Sequence, residues 1–121
     1  MSDDNLSIRV QIALGEADEI LHRDGAASYI DTVMSCAANH ADYAAGCDYF
    51  GIAKDYMQDA EREAAKAGRT KDVVQALIRG YERASKTCLR SYQSKERRLF
   101  ADKCIKRVND LRVGKWSSRI K

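Results

Sequence analysis

Four cations form a row along one side of a helical segment in the second half of the chain. The row consists of Arg79, Arg83, Lys86 and Arg90, at steps of four, three and four residues. Arg79 lies about 200° around the helix from the apolar Leu77, so the row points away from the predicted core. Like charges at this spacing repel one another, and the anions of a partner would relieve that repulsion. The row therefore predicts a surface that contacts phosphate groups or acidic side chains.

More basic residues follow in the next helical segment and extend the positive surface: Lys95, Arg97, Arg98, Lys103, Lys106, Arg107 and Arg112. We expect Lys103, Lys106 and Arg107 to join the row in binding a partner. Trp116 is added to this set, because a lone tryptophan among polar residues can anchor a partner as well as fold over the core. The alternative interpretation is that the basic residues form a solvated surface, or one that contacts the acidic half of the same chain.

Acidic residues follow one side of the third predicted helix, at Asp48, Asp55, Asp59 and Glu63. The last three are four residues apart and share one helix face. No loop with the spacing of calcium ligands accompanies them, which makes a solvated ridge a better interpretation than a metal site. We predict that Asp55, Asp59 and Glu63 form a secondary acidic face.

The cysteines and histidines give little indication of a metal site or of catalysis. Cys36 and His40 are four residues apart and Cys47 follows seven residues later. Zinc needs three or four ligands, and the compact Cys-x2-Cys spacing is absent, so we interpret all four cysteines, including Cys88 and Cys104, as packed thiols. The phosphate-binding glycine loop, the Gly-x-Ser-x-Gly elbow and the His-Glu-x-x-His helix are also absent. We therefore predict no metal, no cofactor, no catalytic residue and no enzymatic activity.

Charge is divided unequally between the two halves of the 121-residue chain. Residues 1–68 contain 13 acidic and 5 basic residues, whereas residues 69–121 contain 5 acidic and 16 basic residues. The net charges are −8 and +11, which the overall charge of +3 conceals. Such asymmetry indicates a nucleic-acid contact, an acidic protein partner, or attraction between the two halves. We expect a cytoplasmic protein, since no apolar run has the length of a membrane span and no secretory signal is recognisable.

Hydrophobic periodicity predicts five helices in a chain without proline. Their approximate ranges are 5–23, 28–39, 42–67, 70–92 and 94–113. Predicted N-caps stand at Ser28, Thr70 and Ser94, and glycines suited to helix ends stand at Gly25, Gly68 and Gly114. The inward stripe of the fourth helix is Val74, Leu77, Tyr81, Ala84, Cys88 and Tyr92, and that of the fifth is Phe100, Cys104, Val108 and Leu111.

These patterns predict an all-α protein, a compact bundle of four to five helices with about 70% helix or more. Two stacked helical hairpins are one arrangement that fits. Residues 1–114 form a single helical domain and residues 115–121 a short basic tail.

For function we expect a non-enzymatic protein–protein interaction module that acts through charged helix faces, such as a small inhibitor, adaptor or chaperone-like protein. A phage- or plasmid-type inhibitor of a nucleic-acid-handling complex belongs to this class. Its partner would be a charged protein or a nucleoprotein complex, with no membrane contact. The alternative is a non-specific nucleic-acid-binding protein that uses the basic face of helices four and five.

Overall fold

The structure, a computed structural model, describes residues 8–43, 50–90 and 94–115, with side chains from Leu14 onward in the first range and up to Asp42. Its helices are α1 (Ile8–Asp24), α2 (Ala26–Tyr43), α3 (Gly51–Lys66), α4 (Lys71–Arg90) and α5 (Lys95–Arg112). Within these ranges the chain is 89% helical, contains no strand and folds as a compact bundle. The all-α prediction is therefore confirmed. No described helix is long and apolar enough to span a membrane.

The predicted glycines end helices, and one of the two predicted serine N-caps begins a helix. Gly25, Gly68 and Gly114 all adopt the left-handed conformation, with φ of 95°, 80° and 80°. Ser94 is the N-cap of α5, since its side chain accepts a hydrogen bond from the Arg97 amide. The predicted cap at Ser28 is wrong, because the Gly25 carbonyl already accepts the first helical hydrogen bond of α2, from the Tyr29 amide at 3.1 Å.

The predicted break near Asn39 and His40 is also wrong. Helix α2 continues through both residues to Tyr43 and therefore includes Asp42, which was assigned to the third helix. Buried alanines at 37, 38 and 41 explain the continuity, because they give this segment an inward face and a high helix propensity. The His40 ring stacks on Tyr56 of α3, with ring centroids 5.4 Å apart.

Helices α2 and α4 lie side by side and run in the same direction. Three polar contacts join residues that are each 48 positions apart, so the register is constant along the pair: Asp31–Arg79, Ser35–Arg83 and Asp42–Arg90. Gly80 permits this close approach. A Cβ atom there would lie 2.4 Å from the Cβ of Met34, well inside van der Waals contact.

Helices α3 and α5 also run parallel to each other, as two contacts show. The rings of Phe50 and Phe100 stack with centroids 4.4 Å apart, and further along both chains Glu61 pairs with Arg107. Helix α4 is antiparallel to α5, since Arg97 near the start of α5 contacts Cys88 near the end of α4, and Arg112 at the end of α5 contacts the earlier Glu82. The chain therefore forms two stacked hairpins, α2–α3 and α4–α5, with α1 packed on α2.

The predicted inward stripes form the core, with a shift of one residue in α4. Leu77, Tyr81, Ala84 and Cys88 are buried as expected, but Val73 takes the buried place predicted for Val74, which is half-buried. The whole described stripe of α5 is buried.

The described cysteines are free thiols, and burial raises the pKa of each: Cys36, Cys88 and Cys104. Tyr92 and Cys47 lie outside the described residues.

Candidate binding site on helix α4

The predicted basic row lines one open depression on the outer face of α4. The depression measures about 550 Å³ and is lined by Arg79, Glu82, Arg83, Lys86, Thr87 and Arg90. All four cations of the row are exposed, as their position opposite the core stripe requires. The structure therefore brings the four predicted residues together in one place.

Ion pairs with α2 hold the two outer cations of the row. The Nη2 atom of Arg79 donates to both carboxylate oxygens of Asp31, at 3.1 and 3.0 Å. At the other end, Arg90 Nη2 lies 3.5 Å from Asp42 Oδ2. Exposed pairs of this kind contribute only about 0–1 kcal/mol to stability, but they balance the charge of both arginines. For these two cations, contact with the acidic half of the chain is what the structure shows.

The two central cations have a different environment. Arg83 donates to the Ser35 hydroxyl, and that hydroxyl in turn donates to the backbone carbonyl of Asp31 at 2.9 Å. In the described parts of the chain, neither Arg83 nor Lys86 lies within ion-pair distance of a carboxylate. The nearby Glu82 pairs with Arg112 at 3.0 Å. Two unbalanced positive charges are therefore concentrated at the centre of the depression.

Arg107 was expected on the exposed basic surface, and that expectation is wrong. The residue is only 2% exposed. Its guanidinium forms a bidentate pair with Glu61, at 2.7 Å from Nε and 2.9 Å from Nη2, and Glu61 also accepts a hydrogen bond from the Tyr81 hydroxyl at 2.8 Å. The cause is its position on the inner side of α5, three residues after the buried Cys104.

Arg97, which was also predicted to extend the positive surface, is completely buried. It donates to the carbonyls of Cys88 and Thr87, both at 3.1 Å, and to that of Ala41 at 3.3 Å. These carbonyls belong to the last turns of α4 and α2, so one guanidinium caps two parallel helices at their negative ends. The sequence does contain a signal for this burial, because Arg97 lies three residues before Phe100 of the apolar stripe and therefore shares its helix face.

The remaining predicted partner residues lie away from the depression. Lys103 and Lys106 are exposed on α5, and Lys106 pairs with Asp110 at 3.4 Å. Neither of them lines the depression. Trp116 lies outside the described residues, and its role stays a prediction.

The acidic ridge is less solvated than its spacing predicts. The side chains of Asp59 and Glu63 are 13% and 15% exposed, and they pair with Arg62 at 3.1 Å and Lys66 at 3.3 Å. Asp59 also accepts a hydrogen bond from Tyr29 of α2, and burial together with this carboxylate raises the pKa of the tyrosine. Burial raises the pKa of Asp55. Asp59 therefore takes part in a contact between α2 and α3, and Glu63 in an ion pair along α3. Asp48 lies outside the described residues.

Among the residues that the structure describes, no three histidine, cysteine, aspartate or glutamate side chains are grouped so that they could hold a metal ion. The set considered for zinc includes Cys47, which lies outside those residues. The chain matches no protein-family model, no curated protein and no solved structure.

Proposed function

We propose that the chain is a non-enzymatic protein-binding module, and that the depression on α4 binds an acidic segment of a partner protein. The observation that carries this proposal is the charge pattern of the depression. Its ends, at Arg79 and Arg90, are balanced by carboxylates, whereas its centre, at Arg83 and Lys86, is not. A binding surface of this kind suits an inhibitor or adaptor, whose activity consists of occupying a partner.

The same pattern favours a protein over a nucleic acid. Arg79 and Arg90 are eleven residues apart, so the depression spans about 16 Å along the helix axis. A nucleic-acid strand carries a negative charge at every step of its backbone and would bring phosphates towards Asp31 and Asp42 at the two ends. A protein segment can confine its negative charge to the centre and place neutral residues at the ends.

The test is affinity capture from an extract of the native host with two matched double variants. Arg83→Glu with Lys86→Glu reverses the two central charges. Lys71→Glu with Lys95→Glu makes the same change in net charge at exposed positions outside the depression. We expect the central variant to lose at least about tenfold in affinity, or about 1.4 kcal/mol, and the control variant to retain binding.

Two further measurements make the outcome specific. Both variants are expected to keep the melting temperature of the parent within a few degrees, because surface substitutions change stability by about 0.5 kcal/mol or less. Nuclease treatment of the extract should leave the captured protein in place. Equal capture by both variants would refute the proposal, and capture that disappears with nuclease would favour the nucleic-acid alternative.

A further inference from the structure

We infer that the central pair Arg83 and Lys86 binds one phosphate monoester carried on a side chain of the partner segment. The inference rests on the proposed function and specifies the chemistry of that segment.

Charge balance is the first argument. The carboxylates of Asp31 and Asp42 balance Arg79 and Arg90, and Arg112 balances Glu82. The depression is left with two positive charges, on adjacent turns of one helix. A phosphate monoester carries a charge of about −1.5 to −2 at neutral pH and therefore matches both cations with a single group. One carboxylate would balance only half of this charge.

The donors at the centre of the depression are the second argument. Arg83 and Lys86 are three residues apart, which places them on the same side of α4. The hydrogen bond with Ser35 orients the guanidinium of Arg83 before any ligand binds. A guanidinium matches the geometry of phosphate oxygens, and a lysine ammonium adds a mobile second cation. The three terminal oxygens of a phosphate monoester can accept hydrogen bonds from both residues together.

The open shape of the depression indicates that the phosphate is attached to a segment. Sites for free small molecules generally enclose about 70–90% of the ligand surface, and this depression is open to solvent. A segment would gain further contacts on the surrounding surface. Leu89, three residues beyond Lys86, is 43% exposed and offers an apolar contact of this kind.

The test is a titration of the ¹⁵N-labelled full-length chain, followed by amide chemical shifts. The probes are a short peptide of neutral residues with a central phosphoserine, the same peptide with serine or glutamate at that position, and inorganic phosphate. We expect the phosphopeptide to shift the amide signals around residues 83–87 and to bind at least about tenfold more tightly than each of the others. Arg83→Gln with Lys86→Gln should abolish this binding, and Lys71→Gln with Lys95→Gln should preserve it.

Dependence on pH provides a signature of the phosphate itself. Its second pKa is about 6, so lowering the pH from about 7.5 to about 5.5 converts most of the dianion to the monoanion. Binding of the phosphopeptide should weaken several-fold over this range. Binding of the glutamate peptide should change little, because an ordinary glutamate titrates near pH 4.3.

Equal affinity for the serine and phosphoserine peptides would overturn the inference, as would unchanged binding of the phosphopeptide by Arg83→Gln with Lys86→Gln. Equal affinity for inorganic phosphate and the phosphopeptide would also overturn it, because free phosphate would then be the ligand. Phosphatase treatment of the host extract separates this inference from the proposed function. Suppose that a partner is still captured after phosphatase treatment but is not captured by Arg83→Glu with Lys86→Glu. This result would refute binding of a phosphate group and would support the proposed binding of an acidic segment.

Discussion

The central cations of α4 and the buried arginines of α5 show that basic residues occupy two different environments in this molecule. Arg83 and Lys86 extend from the outer face of α4 with no carboxylate partner among the described residues. Arg97 and Arg107 are buried on the inner face of α5 and bind carbonyls or a carboxylate. Position relative to the apolar stripe decides between the two. An outward cation keeps its hydration and remains available to a partner, whereas an inward cation must find its ligands inside the fold.

The energetic consequence is that the two groups of basic residues contribute very differently to the stability of the fold. The exposed pairs of α4 contribute about 0–1 kcal/mol each. Removing one member of a fully buried pair leaves an unbalanced charge in the core and costs about 3–5 kcal/mol. Substitution of the buried Arg97 or Arg107 should therefore destabilise the protein, whereas substitutions in the depression should leave it folded and, under the proposed function, weaken binding.

The largest effect is expected for Arg107→Met. Glu61 would stay buried without its cation, and we expect the free energy of unfolding to fall by about 3–5 kcal/mol in a urea titration. Arg107→Met combined with Glu61→Leu removes both charges and should recover a large part of this loss, since an apolar pair can replace a buried ion pair. A loss below about 1 kcal/mol for the single variant would contradict the structural role of Arg107.

A loss of about 3 kcal/mol is expected for Arg97→Met, which leaves three carbonyls without their donor. Because these carbonyls end two helices, hydrogen exchange should accelerate together in the last turns of α2 and α4. Arg97→Lys retains the charge but not the fork of donors, and we expect an intermediate stability. Faster exchange in only one of the two helices would show that Arg97 does not join them.

A smaller effect, of about 1–2 kcal/mol, is expected where α2 and α4 approach most closely. Gly80→Ala introduces a methyl group against Met34, and the resulting overpacking outweighs a gain in helix propensity of about 1 kcal/mol. Gly15→Ala is the matched control, because its Cβ would meet nothing within 4 Å in the interior of α1. The control should stabilise the protein by up to about 1 kcal/mol. Stabilisation by both substitutions would mean that the helices can separate at Gly80 without cost.

Much of the fold could be predicted from the sequence, because local signals agree with the packing. Gly25, Gly68, Gly114 and Ser94 mark helix ends, and the stripes of α4 and α5 mark the core. The basic row was predictable too, because helix geometry alone places Arg79 about 200° around the helix from Leu77. The ion pairs were not, since Asp31 and Asp42 meet α4 only through the parallel packing of two hairpins.

The internal ligands of the two buried arginines were not predictable from the sequence either. Arg97 and Arg107 occupy inward positions of α5, yet charge argues for exposure. Their internal ligands come from elements distant in sequence, namely Ala41 of α2 and Glu61 of α3. Only a three-dimensional arrangement shows that these ligands exist. The partial burial of the acidic ridge was not predictable for the same reason, because Tyr29 of α2 contacts Asp59.

The smallest effect is expected at Asp55, a partly buried carboxylate that has no ion pair among the described residues. Helix α3 carries both Asp55 and Glu61. Glu61, by contrast, is buried against the guanidinium of Arg107. Burial raises the pKa of Asp55 above its ordinary value of 3.8, and Arg62 opposes that shift only in part. The folded state therefore holds the Asp55 proton more tightly than the unfolded state, and the ionised carboxylate opposes folding above its folded pKa.

Asp55→Asn should for this reason stabilise the protein at neutral pH, by less than about 0.5 kcal/mol. The difference from the parent should disappear as the pH falls through the raised pKa towards 3.8, because the parent carboxyl is then neutral as well. Thermal unfolding of both proteins between about pH 7 and about pH 3.5 measures this difference in stability. Asp59→Asn is the contrasting variant, and it should destabilise the protein, since Asp59 has partners in Tyr29 and Arg62. A shared sign for the two variants at neutral pH would show that internal partners do not decide whether a carboxylate of α3 supports or opposes folding.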